Sequence, residues 1–238
     1  MNAAQRVDYG AIAARLDLVR RRIAAAAERA GREPGSVRLV VVTKDVGAEA
    51  AAAAVDAGAI ELGENRAQEL VLKMESLGRR AVAPRWHFIG TLQKNKVRSV
   101  VGAVGLIHSI DSVELGGAVA ARAHGLGIVQ DVLLEVNTSG ETTKHGFAPP
   151  GTAEALEALG GLPGLRVRGL MTIAPAGAPS VARRSFAALR DLRDDLRGRL
   201  HGAALDELSM GMTSDFEQAV EEGASIVRVG TAIFGERR

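Results

Sequence analysis

Lys44 stands where the apolar run Leu39-Val40-Val41-Val42-Thr43 stops and an alanine-rich stretch begins. A lysine leaving a buried strand sits in a partly desolvated setting that favours the free amine, and a free amine attacks carbonyl carbon to form a Schiff base. Taken alone, such a position more often marks a surface lysine that opens a loop, so its meaning depends on what converges on it. Two later segments supply the complement. Ser209-Met210-Gly211-Met212-Thr213-Ser214-Asp215-Phe216-Glu217 has Ser214 and Glu217 at the spacing of a capping box, and a glycine that lets backbone amides approach a ligand. Val227-Arg228-Val229-Gly230-Thr231-Ala232-Ile233-Phe234-Gly235 repeats the device of glycine, hydroxyl residue and short helix. Each turn by itself is an ordinary capped helix start. Together with Lys44 they call for an aldehyde that carries a phosphate, and pyridoxal 5'-phosphate (PLP) has both groups.

Arg228 lies between two valines, where a charge has to find a partner or reach a ligand. Two readings stand side by side. One is a salt bridge across the fold, to Glu64 or Asp111. In the other the guanidinium sits beside the pyridine nitrogen, keeps that nitrogen unprotonated and weakens the ring as an electron sink.

These residues need elements to bring them together. Strand patterns occur at 38–43, 59–63, 86–90, 105–110, 131–137, 166–172, 207–210 and 226–230. Helical patterns alternate with them near 48–57, 66–77, 93–101, 113–124, 152–159, 180–200 and 215–222, with a short one after Thr231. Regular alternation implies parallel strands with crossover helices. Eight such units in 238 residues predict one closed (β/α)8 TIM barrel. No Gly-x-Gly-x-x-Gly turn follows the first strand, which argues against an open dinucleotide-binding sheet. An amphipathic helix over 8–30, with Ile12, Leu16, Val19 and Ile23 at helical spacing and Gly31 as its stop, is an addition ahead of the first strand. The expected organisation is a single PLP-binding domain over 1–238, with 1–31 packing on the barrel. Its functional mouth lies where strands end, at Lys44, Asn65, His87, Gly90, His108, Asn137 and Thr172.

Composition excludes several classes. With no cysteine there are no disulfides and no thiolate chemistry. Thirty basic against 28 acidic residues, interspersed, and 3% aromatics give neither a phosphate-tracking stripe nor a base-stacking platform, so no nucleic acid is expected. The apolar runs are strand-sized, so no membrane span is expected, and neither a secretory leader nor a lipidation pattern is seen. The five histidines lack metal-ligand spacing. Glu135 with Glu141 reads as capping and solvation, and His124 and His201 as helix-end residues.

Eight motifs in order carry a resemblance: Val41-Val42-Thr43-Lys44; Gly63-Glu64-Asn65 through Gln68-Glu69; Trp86-His87-Phe88-Ile89-Gly90 with Leu92-Gln93 and Asn95-Lys96; His108-Ser109-Ile110-Asp111; Val136-Asn137-Thr138-Ser139-Gly140-Glu141 with Lys144 and Gly146; Gly169-Leu170-Met171-Thr172-Ile173; and the Ser209 and Val227 runs. Over nearly its whole length the chain resembles the pyridoxal phosphate homeostasis protein family, also described as the YggS/PROSC family. The resemblance implies an alanine racemase N-terminal-type barrel (PLP fold type III), with PLP joined to Lys44 as an internal aldimine. It implies phosphate contacts from Ser209, Met210, Gly211 and Thr213 and from Gly230 and Thr231, Arg228 near the pyridine nitrogen, and Asn65, His87 and Met210 as pocket neighbours. Many relatives have a proline shortly after the lysine where this chain reads Asp45-Val46-Gly47, and Asp45 is expected to slow exchange of the bound ligand. Thr213 stands where serine is frequent and keeps the hydroxyl.

Two functions follow. One is a cytoplasmic, monomeric carrier that takes part in PLP homeostasis, buffering PLP or handing it to apo-enzymes without catalysis. The other is a small PLP-dependent amino-acid racemase. Racemases of this type use a tyrosine from an added β domain as second base, whereas the one tyrosine here, Tyr9, precedes the barrel, so the carrier is favoured. A class I aldolase-like barrel shares the lysine and the phosphate cup but none of the motifs.

Overall fold

The apolar runs form strands, and the strands close on themselves. The structure is a computed structural model that describes residues 9–78, 83–141, 145–200 and 204–235; Lys144 and His201 lie outside these. In order, the elements are α1 (Tyr9–Arg29), β1 (Arg38–Val42), α2 (Ala48–Asp56), β2 (Glu61–Glu64), α3 (Ala67–Leu77), β3 (Arg85–Phe88), α4 (Val97–Val100), β4 (Leu106–Ile110), α5 (Val113–Gly125), β5 (Gln130–Glu135), α6 (Thr152–Gly160), β6 (Leu165–Met171), α7 (Pro179–Arg199), β7 (Glu207–Ser209), α8 (Phe216–Glu221), β8 (Ile226–Val229) and α9 (Thr231–Phe234). The strands form one closed, parallel barrel in sequence order, with β1 paired to both β2 and β8. The helix expected over 93–101 divides into a 3-10 turn, Lys94–Lys96, and the single turn of α4.

Strand side chains alternate between two sides, and the two sides have different company. Val41, Leu62, Phe88, Ile107, Val132, Leu170, Leu208 and Val227 belong to the large apolar layer between barrel and helices. Val40, Leu106, Leu133, Met171 and Ile226 form a separate small cluster inside the barrel. That inner cluster is only part of the lumen, because Glu61, His87, His108, Glu135, Ser209 and Arg228 are also buried. A barrel interior is ordinarily filled with branched apolar side chains, and here polar groups displace many of them.

α9 is a single turn, so the outer ring is thin where the last strand meets the first. α1 fills it. Its face of Ile12, Leu16, Val19, Ile23, Ala26 and Ala27 is buried. Arg22 lies over the Phe216 ring at 4.7 Å and bonds Glu217 of α8 at 3.1 and 3.0 Å.

Candidate cofactor site

A cavity of about 530 Å³ opens at the C-terminal ends of the strands, lined by Lys44, Asn65, Glu135, Thr213, Arg228 and Thr231 among others. Lys44 is presented by a rigid support. The preceding residue, Thr43, is fully buried, donates its N–H to the Gly63 carbonyl at 2.9 Å and its hydroxyl to Glu64 Oε1 at 2.5 Å. Lys73 Nζ from α3 donates to the Thr43 carbonyl at 2.6 Å and to Glu64 Oε1 at 2.5 Å. Burial raises the Glu64 carboxyl above its ordinary range, against the pull of the Lys73 and Thr43 bonds. Beyond Lys44 the backbone turns through Asp45 at φ 58°, a left-handed conformation that aspartate tolerates better than most side chains. The Asp45 N–H donates to Glu69 Oε2 at 3.2 Å, and its carboxylate lies 3.6 Å from Arg66.

Across the cavity, the two glycine turns meet. Gly211 has φ +93°, and a Cβ there would stand 2.5 Å from the Ala219 Cβ, so only glycine lets the turn lie on α8. A Cβ on Gly230 would stand 2.9 Å from the Val42 carbonyl, which places the exit of β8 directly against that of β1. Thr213 Oγ1 accepts the Ala232 N–H at 3.3 Å and ties the turns together. The Ser214–Glu217 capping box is not formed, because Glu217 is taken by Arg22; the Asp215 carboxylate instead accepts the Met212 N–H at 2.6 Å.

Arg228 is buried on the inner side of β8. It donates to Ser209 Oγ at 2.5 Å and to the Thr172 carbonyl at 3.0 Å, not to Glu64 or Asp111. Burial lowers its pKa to about 10, with Glu135 and Asp215 opposing, so it remains cationic at neutral pH. Glu135 in turn is raised by burial and by Asp111, with Arg228 opposing. Asn65 contributes a buried Oδ1 that has no hydrogen-bond partner among the described residues.

Of the residues expected at the site, Lys44, Asn65, Thr213, Arg228, Gly230 and Thr231 line the cavity, and four stand elsewhere. His87 is inside the barrel and lines a second cavity with Arg38, Arg85 and Glu207, residues at the opposite strand ends. Ser209 lies beneath the mouth, between Arg228 and His108. Met210 directly follows the end of β7, and continued alternation sends its side chain into the outer apolar layer. Gly211 acts through its backbone, accepting the Arg228 N–H at 3.0 Å. Glu135, read from sequence as solvated, is a correction: it follows Leu133 by two residues on β5 and therefore faces inward. Lys73 was not anticipated, although it interrupts the apolar stripe Leu70, Lys73, Leu77 of α3, a signal that a charge is being delivered to the core.

The cavity combines one amine, one permanent cation, several hydroxyls and an unfilled acceptor, a set that suits an aldehyde bearing a phosphate and a ring hydroxyl. Comparison with known proteins points the same way. The profile described as "Alanine racemase, N-terminal domain" matches residues 14–238. A pyridoxal phosphate homeostasis protein of Aquifex aeolicus is 47% identical over 94% of this chain and 97% of its own. The structure of PipY of Synechococcus elongatus with PLP bound superposes with a TM-score of 0.84 at 36% identity, covering 94% of this chain and 100% of that one. An alanine racemase of Corynebacterium glutamicum shares the fold, with a TM-score of 0.72 at 17% identity; the match covers 97% of this chain but 62% of the racemase.

Proposed function

The chain belongs to the alanine racemase N-terminal-domain family, among the pyridoxal phosphate homeostasis proteins, and from that membership we propose that it stores and releases PLP at the mouth of its barrel without turning over a substrate. One observation carries the reading: Lys44, Arg228 and the hydroxyl-bearing turns face the same 530 Å³ cavity. Lys44 would hold the aldehyde end of PLP through its amine, the group that supplies reversible carbonyl chemistry there. On this reading Thr213, Ser214 and Thr231, which line the cavity, would donate to the phosphate, and Asn65 Oδ1 would accept from a ring hydroxyl.

PLP itself supplies an electron sink, and Arg228 works against it. A guanidinium charged at neutral pH would donate to the ring nitrogen of bound PLP and would not protonate it. The tyrosine of the sequence is also misplaced for a second base, since Tyr9 on α1 donates to Glu49 at 2.9 Å on the barrel's outside. Storage with slow release to apo-enzymes, by a single copy of the chain in the cytoplasm, is the function that these features support.

The test is chemical. Purified protein loaded with PLP and reduced with borohydride is expected to carry the phosphopyridoxyl mass on the Lys44 peptide, and Lys44→Ala to lose both the mass and the near-visible band. The PLP-loaded protein before reduction should show no appreciable alanine racemisation. A racemase rate that Lys44→Ala abolishes sinks the carrier reading in favour of the racemase.

A further inference from the structure

The polar groups in the barrel lumen are in line. Arg228 donates to Ser209 Oγ at 2.5 Å; Ser209 Oγ lies 2.8 Å from His108 Nδ1; His108 Nε2 lies 2.9 Å from His87 Nδ1; and His87 Nε2 faces Glu61 Oε2 at 3.4 Å. β4 and β7 are not neighbours in the barrel, so the His108–Ser209 contact spans the lumen. The line runs from the mouth cavity, which Arg228 lines, to the cavity at the opposite strand ends, which His87 lines. Its two last atoms, His87 Nε2 and Glu61 Oε2, are buried and neither makes a hydrogen bond among the described residues, so at 3.4 Å each is the nearest group the other can use.

The ends fix the direction. A guanidinium only donates and a carboxylate only accepts. With Arg228 donating to Ser209, the hydroxyl hydrogen is free for His108 Nδ1. His108 then carries its proton on Nε2 and donates to His87 Nδ1, which leaves the His87 proton on Nε2, facing Glu61 Oε2 at 3.4 Å. Both imidazoles are neutral in this arrangement. For His108 that agrees with a pKa held well below the ordinary value, first by full burial and then by the nearby Arg228 and Arg38 charges. Glu61 agrees as well: burial pushes its carboxyl up, but His87, Arg38 and Arg85 bring it below the ordinary range, so it stays an acceptor.

We propose that Ser209, His108 and His87 are positioning residues for Arg228: a one-way chain of donors, ending against Glu61 at the far end of the barrel, commits one guanidinium nitrogen to Ser209 while another holds the Thr172 carbonyl, and so fixes how the remaining N–H groups meet the ligand in the mouth. The inference deepens the function proposed above and rests on PLP occupying that mouth. It explains why His87, which does not touch the cavity, stands in a motif with Trp86 and Phe88, and why a lumen made to hold valines and leucines holds two imidazoles instead.

Long-range proton–nitrogen NMR of the full chain, with and without PLP, reads the histidine tautomers directly. Both His87 and His108 are expected as neutral Nε2–H forms. An Nδ1–H form of either, or a cationic His87 at neutral pH, reverses or breaks the chain and overturns the proposal. The second arm uses bound PLP. Ser209→Ala cuts the chain beside Arg228 and is expected to weaken PLP about tenfold, the effect of one lost charge-assisted bond, and to move its absorption band; Ser209→Thr, which keeps the hydroxyl, returns both. A folded Ser209→Ala protein with wild-type affinity and band position also overturns it. Failure of the wild type to bind PLP at all removes the functional reading and the positioning role together, whereas the wrong tautomers with PLP normally bound remove only the latter.

Discussion

Lys73 shows how the residue scale sets up the chemistry. Its ammonium is buried, lies 2.5 Å from Glu64 Oε1 and holds the carbonyl of Thr43, the residue that delivers Lys44. A buried pair contributes little net stability when intact but is costly to halve, because the remaining charge is left in a low-dielectric site. Lys73→Met should therefore destabilise the fold by about 3 kcal/mol at neutral pH. The sign of its pH dependence also follows. Glu64 already has a raised pKa from burial, and losing Lys73 raises it further, so the folded variant binds a proton that the unfolded chain does not between the unfolded value near 4.5 and the higher folded one. The deficit of the variant should shrink as pH falls through that window, as chemical denaturation at pH 7.5 and 5.5 would show; a deficit independent of pH would mean that Glu64 is not the group left behind. Lys44 was legible in the sequence because an apolar run ends on it. Lys73 was not, because a charge on an apolar helical stripe declares burial without naming its partner.

At the scale of elements, strand and helix positions were readable almost throughout, since each β run is short, most are rich in β-branched residues, and a 3.6-residue pattern follows. What escaped was which way a side chain faces near a strand end. His87, Met210 and Glu135 were all misplaced for that reason: strand ends put a residue near the mouth, and alternation then decides between lumen, cavity and outer layer. The first helix was legible as amphipathic, but its docking site was not, because that depends on the outer ring being thin at α9. Two ion pairs mark the docking, Arg22–Glu217 at 3.0 Å and Arg29–Glu221 at 2.9 Å. Both glutamates titrate below their ordinary value. Glu217 is held there chiefly by the Arg22 bond and Glu221 by Arg183, with Arg29 adding to each. Their stabilisation is present above the unfolded value near 4.5 and fades as pH falls through the lowered folded values. Part-exposed pairs are modest, so a double-mutant cycle of Arg22→Ala with Glu217→Ala should give a coupling of about 0.5 to 1 kcal/mol at pH 7 that is smaller at pH 4. Equal coupling at both pH values would assign the docking to apolar burial and the Arg22–Phe216 stack alone.

For the whole molecule, the lumen is the distinguishing feature: a closed barrel need not carry polar groups through its centre, and this one places two imidazoles there between a cation and a carboxylate. That choice has a thermodynamic signature separate from ligand binding. His108 is fully buried and its pKa lies far below the ordinary 6.5, so in the folded protein it stays neutral while in the unfolded chain it takes a proton as pH drops below 6.5. The unfolded state then binds more protons, and stability falls on acidification until the folded pKa is reached. One such group contributes a slope of about 1.4 kcal/mol per pH unit in that window. Glu64 and Glu135, whose pKa values are raised, act in the opposite sense, so the slope is best isolated as a difference. His108→Gln removes the titration and leaves a neutral amide in the lumen. The stability of wild type relative to this variant should be flat between pH 8 and 7 and decline by about 1.4 kcal/mol per unit below 6.5, read from urea midpoints at matched ionic strength. A difference that stays flat to pH 5 would mean that the lumen lets His108 charge, and a neutral donor chain could not then cross the barrel.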